Sequence, residues 1–208
     1  MRVAIINYNM GNLGSVRRSF EEVGAEVIIA SHPSALYEAN RIVLPGVGAF
    51  PEGMAQLNQG GWVDAIKDVV QHQNKPLLGI CLGMQMLASR GFEGAETAGL
   101  DLIPGTVRRI DQLGCDQRVP HMGWNAVHYR YAEHALFQHI PNGSDFYFVH
   151  SYALDPDNAE DLLATTTYGC ELTAIVAKGN VLGCQFHPEK SSKAGRQLLK
   201  NFMAYPSC

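Results

Sequence analysis

Residues 2–7, RVAIIN, form a continuous apolar run that passes into the loop YNMGN and then into Leu13, Val16, Phe20 and Val23 at helical spacing. The run predicts a strand covered on both faces, and the spacing after it predicts an amphipathic helix. AEVIIA at 25–30 and RIVLPG at 41–46 predict a second and a third strand, the third stopped by Pro45 and Gly46. A helix is predicted over 51–74, with Met54, Leu57, Val63, Ile66 and Val70 on its inner face. PLLGI at 76–80 predicts a fourth strand, and LGMQMLASR at 82–90, built of strong helix formers, a helix.

From about residue 101 the texture changes. LIPGTVRRI, RVPHMGWNAVHY, DFYFVHSYAL, LLATTTY, LTAIVAKG and NVLGCQFH predict short strands between turns. The GN pair at 179–180 folds the last two into a hairpin. SSKAGRQLLKNFMAY predicts a closing helix capped by Ser191 or Ser192. Strands alternating with helices imply a parallel sheet covered on both sides. The expected fold is therefore α/β: an open, mixed, mostly parallel sheet flanked by helices, with extra antiparallel strands in the C-terminal half. With no repeat or flexible linker, a single domain over residues 1–208 is expected.

Composition narrows the partners. The 208 residues are 46% hydrophobic, enough for a sizeable core, and carry a formal net charge of −4 with no long basic run. That balance argues against nucleic acid or an anionic membrane as the main partner. No apolar stretch approaches the ~18 residues of a membrane span, and MRVAIINYN has no signal-peptide pattern, so a cytoplasmic protein is expected. Cys81, Cys115, Cys170, Cys184 and Cys208 are odd in number and form no CxxC pair, which predicts free thiols rather than disulfides or a zinc site. No metal or cofactor is expected.

Cys81 lies at the corner between the fourth strand and its helix, with Gly79 and Gly83 two positions away on either side. A buried packing thiol is the ordinary reading of such a residue. The corner is also the thiol version of a nucleophile elbow, in which a sharp turn exposes the side chain and the flanking glycines admit neighbouring backbone. A helix N-terminus there favours thiolate, and the N–H of Leu82 is placed to hold an oxyanion. FHPE at 186–189 tips the balance towards chemistry. There a strand ends in His187, a base for the thiol, and Glu189 follows two residues later to orient the imidazole. His121 and His150 are second choices, since neither has a carboxylate within two residues. LPGVGAF at 44–50 ends another strand in Gly46 and Gly48; read alone it is equally an ordinary glycine turn, but at a strand end facing the same crevice it lets a backbone N–H at Val47 serve as a second oxyanion donor.

With PGVG, GICLGMQ and FHPE in this order, the chain resembles the class I, triad-type glutamine amidotransferases along nearly its whole length. The resemblance implies hydrolysis of L-glutamine to glutamate and ammonia through a Cys81 thioester, with His187 as acid/base and Glu189 as its orienter. It further implies substrate contacts at Gly48, Gln85, Ser151 and Tyr152, although Gln85 read alone is an ordinary helix-surface residue. NYNMGNLGSV, PHMGWN, FYFVHSY and FHPEKSS carry a narrower resemblance, to the glutaminase subunits of imidazole glycerol phosphate synthases of histidine biosynthesis. That subfamily implies a heterodimer with a (β/α)8-barrel cyclase subunit, which receives ammonia through a tunnel and makes imidazole glycerol phosphate and AICAR. Asn12, Trp124, Asn125 and Lys190 would then lie at the partner surface. From the residues alone, Trp124 reads equally as an interface or a core side chain. Asn7 and Asn9 depart from the aspartate and glycine common in that first loop. Gly46 and Gly48 make reorientation of the peptide at Val47 inexpensive, so this turn is expected to be the regulated element.

Three other functions compete with a glutaminase serving this synthase: a paralogue serving another amidotransferase, such as one that aminates a surface-polysaccharide sugar; a stand-alone cysteine hydrolase; and a non-catalytic protein on the same fold.

Overall fold

In the computed structural model, which describes residues 1–206, the first half alternates β1 (Arg2–Ile6), α1 (Leu13–Glu22), β2 (Glu26–Ala30), β3 (Arg41–Gly46), α2 (Phe50–Gln59), α3 (Trp62–Gln71), β4 (Leu77–Cys81) and α4 (Leu82–Gln85). Strands dominate afterwards: β5 (Arg90–Gly91), β6 (Thr97–Ala98), β7 (Gly105–Arg109), β8 (His121–Tyr129), β9 (Ser144–His150), β10 (Tyr152–Pro156), β11 (Leu162–Tyr168), β12 (Cys170–Lys178) and β13 (Val181–Cys184). The helix α5 (Ser192–Ala204) closes the chain.

Nine strands form the main sheet in the order β2-β1-β3-β4-β13-β12-β11-β8-β9. Pairing is parallel from β2 through β13 and antiparallel from β13 through β9. Successive residues of the parallel strands enter opposite faces. Ala4, Ile6, Ile42 and Leu44 join α2 and α3 on one side, whereas Val3, Ile5, Val43 and Leu78 join Val16 and Phe20 of α1 and Leu198 and Phe202 of α5 on the other. The result is the expected three-layer α/β arrangement, because a strand buried on both faces requires helices above and below it.

Several local expectations change. The helix expected over 51–74 breaks at Gly60 and Gly61, where Gly61 has φ +68, a left-handed conformation that glycine adopts without a Cβ clash. The helix expected over 82–90 stops at Gln85. Its next turn tightens, with Leu87 N–H donating to Met84 O and Ala88 N–H to Gln85 O, while Met84, Met86 and Leu87 are fully buried. DFYFVHSYAL divides at Ser151 into β9 of the main sheet and β10 of a second sheet, ordered β10-β7-β5-β6. Ser191 occupies the cap position of α5, but its hydroxyl makes no cap bond. It donates to His187 O at 2.6 Å and accepts from Tyr147 N–H at 3.0 Å. The hairpin at Gly179–Asn180 forms as expected between β12 and β13. The four described cysteines, Cys81, Cys115, Cys170 and Cys184, are free thiols; Cys208 lies outside the described residues.

The glycines around Cys81 are packing requirements. A Cβ on Gly83 would overlap the Leu44 carbonyl oxygen, and one on Gly79 would come within 2.7 Å of Gly83 O and Met84 N. These obstacles are backbone, which cannot rotate away as a side chain can. Gly83→Ala is expected to destabilise the fold by ~3 kcal/mol, checked by denaturant unfolding with an unchanged m-value.

Candidate active site

Parallel neighbours bring their C-terminal ends together, and β3, β4 and β13 are consecutive in the sheet. Gly46 is in register with Cys81, and Cys184 with Ile80. The residues just past these strand ends therefore share one crevice, where open α/β sheets bind ligands. A cavity of about 380 Å³ lies there, and Val47, Gly48, Cys81, Leu82, Gln85, Ser151, Tyr152 and His187 all line it. Glu93, Pro120, Val149 and His150 complete the wall.

Cys81 sits at φ 54, ψ −110, a conformation that an L side chain occupies at a cost and that fits the strained elbow expected of the corner. The side chain is nearly buried, and its Sγ lies 3.8 Å from Val149 O and 3.7 Å from Gln185 Nε2. Gly46 leaves no space for a side chain there, since a Cβ would approach Tyr8 Oη at 2.5 Å and Leu82 Cβ at 2.9 Å. Tyr8 Oη donates to Pro45 O at 2.8 Å. Burial, with the charge of Cys81 added, pushes its phenol far above the usual range and keeps it neutral.

His187 is anchored at three points. Its backbone N–H donates to Tyr147 O at 2.9 Å, its carbonyl accepts the Ser191 hydroxyl, and its Nδ1 meets Glu189 Oε1 at 2.8 Å. Nε2 faces Cys81 closely but has no aligned hydrogen-bond partner among the described residues, and neither has Glu189 Oε2. Burial by itself would lower the imidazole pKa. The contacts with Cys81 and Glu189 outweigh it and raise the value to about 9. The sign follows from linkage: a raised pKa contributes stability fully below the unfolded value near 6.5, and that share is lost as pH rises through about 9. Glu189→Gln removes one of the raising partners. Its His187 imidazole resonance is expected to titrate at lower pH than in the parent, by one unit or more, in an NMR titration.

His121 and His150 have a different role from His187. Tyr152 O can only accept, so the His150 Nδ1 at 2.9 Å carries the proton and His150 Nε2 is an acceptor. His121 Nδ1, 2.9 Å from that acceptor, must then donate, which leaves His121 Nε2 to accept from Asn125 Nδ2 at 3.3 Å. Both rings are neutral: burial lowers His121 to about 4 and His150 to about 3. Gln85, read alone as a helix-surface residue, is instead buried, and its Nε2 donates to Tyr152 O at 2.9 Å and to Gln185 Oε1 at 3.1 Å.

The four residues expected at a partner surface separate. Trp124 is 55% exposed beside Met122 at 61%, which settles the alternative of a core tryptophan. It packs edge-on to Tyr147, whose ring also lies 5.9 Å from Lys190 Nζ. Trp124, Glu189 and Lys190 line one groove with Arg18 and Arg196. Asn12 is exposed and accepts from Ser15 N–H at 3.3 Å as the cap of α1. Asn125 uses its amide within the chain, donating to Thr167 O at 2.9 Å and accepting from Ala126 N–H.

Sequence reasoning missed Gln185, Glu93 and the ordering role of His150. The legible signal for Gln185 was a lone amide in the otherwise apolar VLGCQF. Glu93 carried no signal, since its Oε2 reaches the cavity wall by accepting from Phe50 N–H at 2.7 Å across the fold.

Known proteins place this cysteine–histidine–carboxylate crevice in a class. The sequence model of the family described as glutamine amidotransferase class-I matches residues 4–205, and the chain belongs to that family. The solved structure of PurLQS from Thermotoga maritima shares the fold, with a TM-score of 0.77 over 98% of both chains at 16% identity. Within the family, the chain groups with the proteins named imidazole glycerol phosphate synthase subunit HisH. It is 49% identical over 200 residues to that of Moorella thermoacetica, covering 96% of this chain and 93% of the relative. It is 45% identical over 205 residues to that of Geobacter sulfurreducens, covering 97% of each.

Proposed function

We propose that the chain is the glutaminase subunit of an imidazole glycerol phosphate synthase, acting as one domain over residues 1–208. The supporting observation is the convergence of Cys81 and His187 on a cavity that also carries the strand-end backbone of Val47, Gly48 and Leu82, with Glu189 bonded to His187 Nδ1 from behind. The Cys81 sulfur attacks the side-chain amide carbon of L-glutamine, and the N–H groups of Val47 and Leu82 hold the oxyanion. As the C–N bond breaks, the proton on His187 Nε2 passes to the leaving nitrogen, releasing ammonia and leaving a thioester. Water then gives a proton to His187 and attacks the thioester carbon, releasing glutamate and the thiolate. Glu189 holds the imidazole by Nδ1 through both half-reactions.

Gly48, Gln85, Ser151 and Tyr152 hold the substrate. The Nε2 of Gln85 makes its internal bonds and leaves Oε1 free among the described residues, and the Glu93 carboxylate suits the substrate's α-ammonium. Ammonia passes to a (β/α)8-barrel cyclase subunit in the cytoplasm, which makes imidazole glycerol phosphate and AICAR. The partner docks over the segments carrying Asn12, Trp124, Asn125 and Lys190, the exposed tryptophan as its apolar anchor. The turn at Val47, bordered by Gly48 at φ +117, is the element that docking regulates.

Reconstitution tests this reading. The purified chain is expected to turn over glutamine slowly alone and rapidly with a cognate cyclase and its nucleotide substrate. Full turnover by the isolated chain would support the stand-alone hydrolase, and failure to bind or activate with the cyclase would support a paralogue serving another synthase.

A further inference from the structure

Gln185 is fully buried between the end of β13 and His187, and both ends of its side-chain amide have partners. The orientation of that amide is determined by its neighbours. The carbonyl of Tyr152 accepts from Gln85, so Gln85 must present its NH2 group there. The same NH2 lies 3.1 Å from Gln185, which must therefore present its oxygen to Gln85. The remaining end of Gln185, its NH2, faces Cys81 Sγ at 3.7 Å. Tyr152 O is itself held by the neutral His150, so the chain of donors and acceptors leaves no freedom to reverse it.

We propose that Gln185 is a positioning residue for the nucleophile: its amide N–H donates to Cys81 Sγ, aims the sulfur into the cavity and favours its thiolate. A neutral thiol is a weak acceptor, whereas a thiolate draws a charge-assisted hydrogen bond, so a fixed donor stabilises the charged form more. Within the substrate-lining set, Gln85 then has a second task, holding Gln185 in the donating orientation. This inference rests on Cys81 being the nucleophile of the glutaminase reading.

The test is the pH dependence of Cys81 alkylation by iodoacetamide in the full chain, followed by mass spectrometry of the Cys81 peptide. Gln185→Met keeps the volume and removes the donor. Its half-maximal alkylation is expected about one pH unit higher than the parent. Its kcat in the cyclase complex is expected to fall about 10-fold, with KM within about twofold, since a group acting on the nucleophile changes kcat. Gln185→Glu retains the acceptor for Gln85 but sets a carboxylate beside the sulfur, and should move the profile further in the same direction. An alkylation profile in Gln185→Met that coincides with the parent overturns the proposal. If Gln185→Met does not fold, Gln85→Leu decides: it frees the Gln185 amide to turn, and an unmoved profile there is equally fatal. Alkylation consumes no glutamine, so a chain with the expected shifts but no glutaminase activity would sink the functional reading and leave the role of Gln185 intact.

Discussion

Cys81→Ala in the reconstituted synthase is expected to lose glutamine-dependent product formation by at least about 10⁴-fold, which corresponds to about 5.4 kcal/mol of transition-state stabilisation. Without the sulfur there is no thioester, and water must attack an amide carbon directly. Amides resist this because the leaving nitrogen is a poor leaving group until it is protonated. The same complex supplied with ammonium salt should form product at the parent rate, since in the proposed reaction ammonia enters after the step assigned to Cys81. That internal control separates chemistry from folding: loss of both activities would indicate a disrupted complex, and retention of glutamine-dependent activity would exclude Cys81 as nucleophile. The substitution itself is mild, because Cys81 is nearly buried and alanine removes one atom without adding volume.

The second large effect is expected at His187. His187→Asn should reduce glutamine-dependent kcat by about 10³-fold or more while leaving the ammonia-dependent reaction near its parent rate. In the proposed reaction the imidazole serves twice, protonating the leaving nitrogen and deprotonating the water, so its removal is expected to slow both halves of the cycle. Part of its stabilisation comes from Cys81 and Glu189, which raise it to about 9 against the opposing effect of burial. A charged ring near the sulfur favours thiolate at neutral pH. His187→Asn is therefore also expected to slow iodoacetamide modification of Cys81 at pH 7, a readout that requires no substrate binding. Equal alkylation rates in the two proteins would remove His187 from the activation of the nucleophile.

Much of this site is legible in the sequence. G-x-C-x-G at a strand end and H-P-E at another are local patterns whose chemistry depends on neighbours in the chain, namely an elbow for Cys81 and a carboxylate two residues after His187. Periodicity likewise identified the buried strands, because an unbroken apolar run leaves no solvent face to assign. Where local signals misled, tertiary contacts had overridden them. The helix formers of 86–88 are drawn into the core as a tight turn, and the polar-looking Gln85 is pulled inward by the Tyr152 carbonyl. The division of α2 from α3 is legible in the Gly60–Gly61 pair, although the apolar spacing that predicts one helix continues on both sides of it.

The sequence by itself determined the alternation of strands and helices, the motifs that nominate Cys81, His187 and Glu189, and the family to which they point, because each depends on residues close together in the chain or on their order along it. Only the tertiary structure decided that β13 lies beside β4, which sets His187 next to Cys81 across more than a hundred residues of intervening chain. It also decided that Ser151 carries the chain from one sheet to another, that His121 and His150 are neutral members of a hydrogen-bonded chain, and that Gln185 faces the sulfur. The physical reason is the same in each case: strand order and amide orientation are settled by which distant groups satisfy one another's hydrogen bonds in a dry interior, and no local pattern encodes that choice.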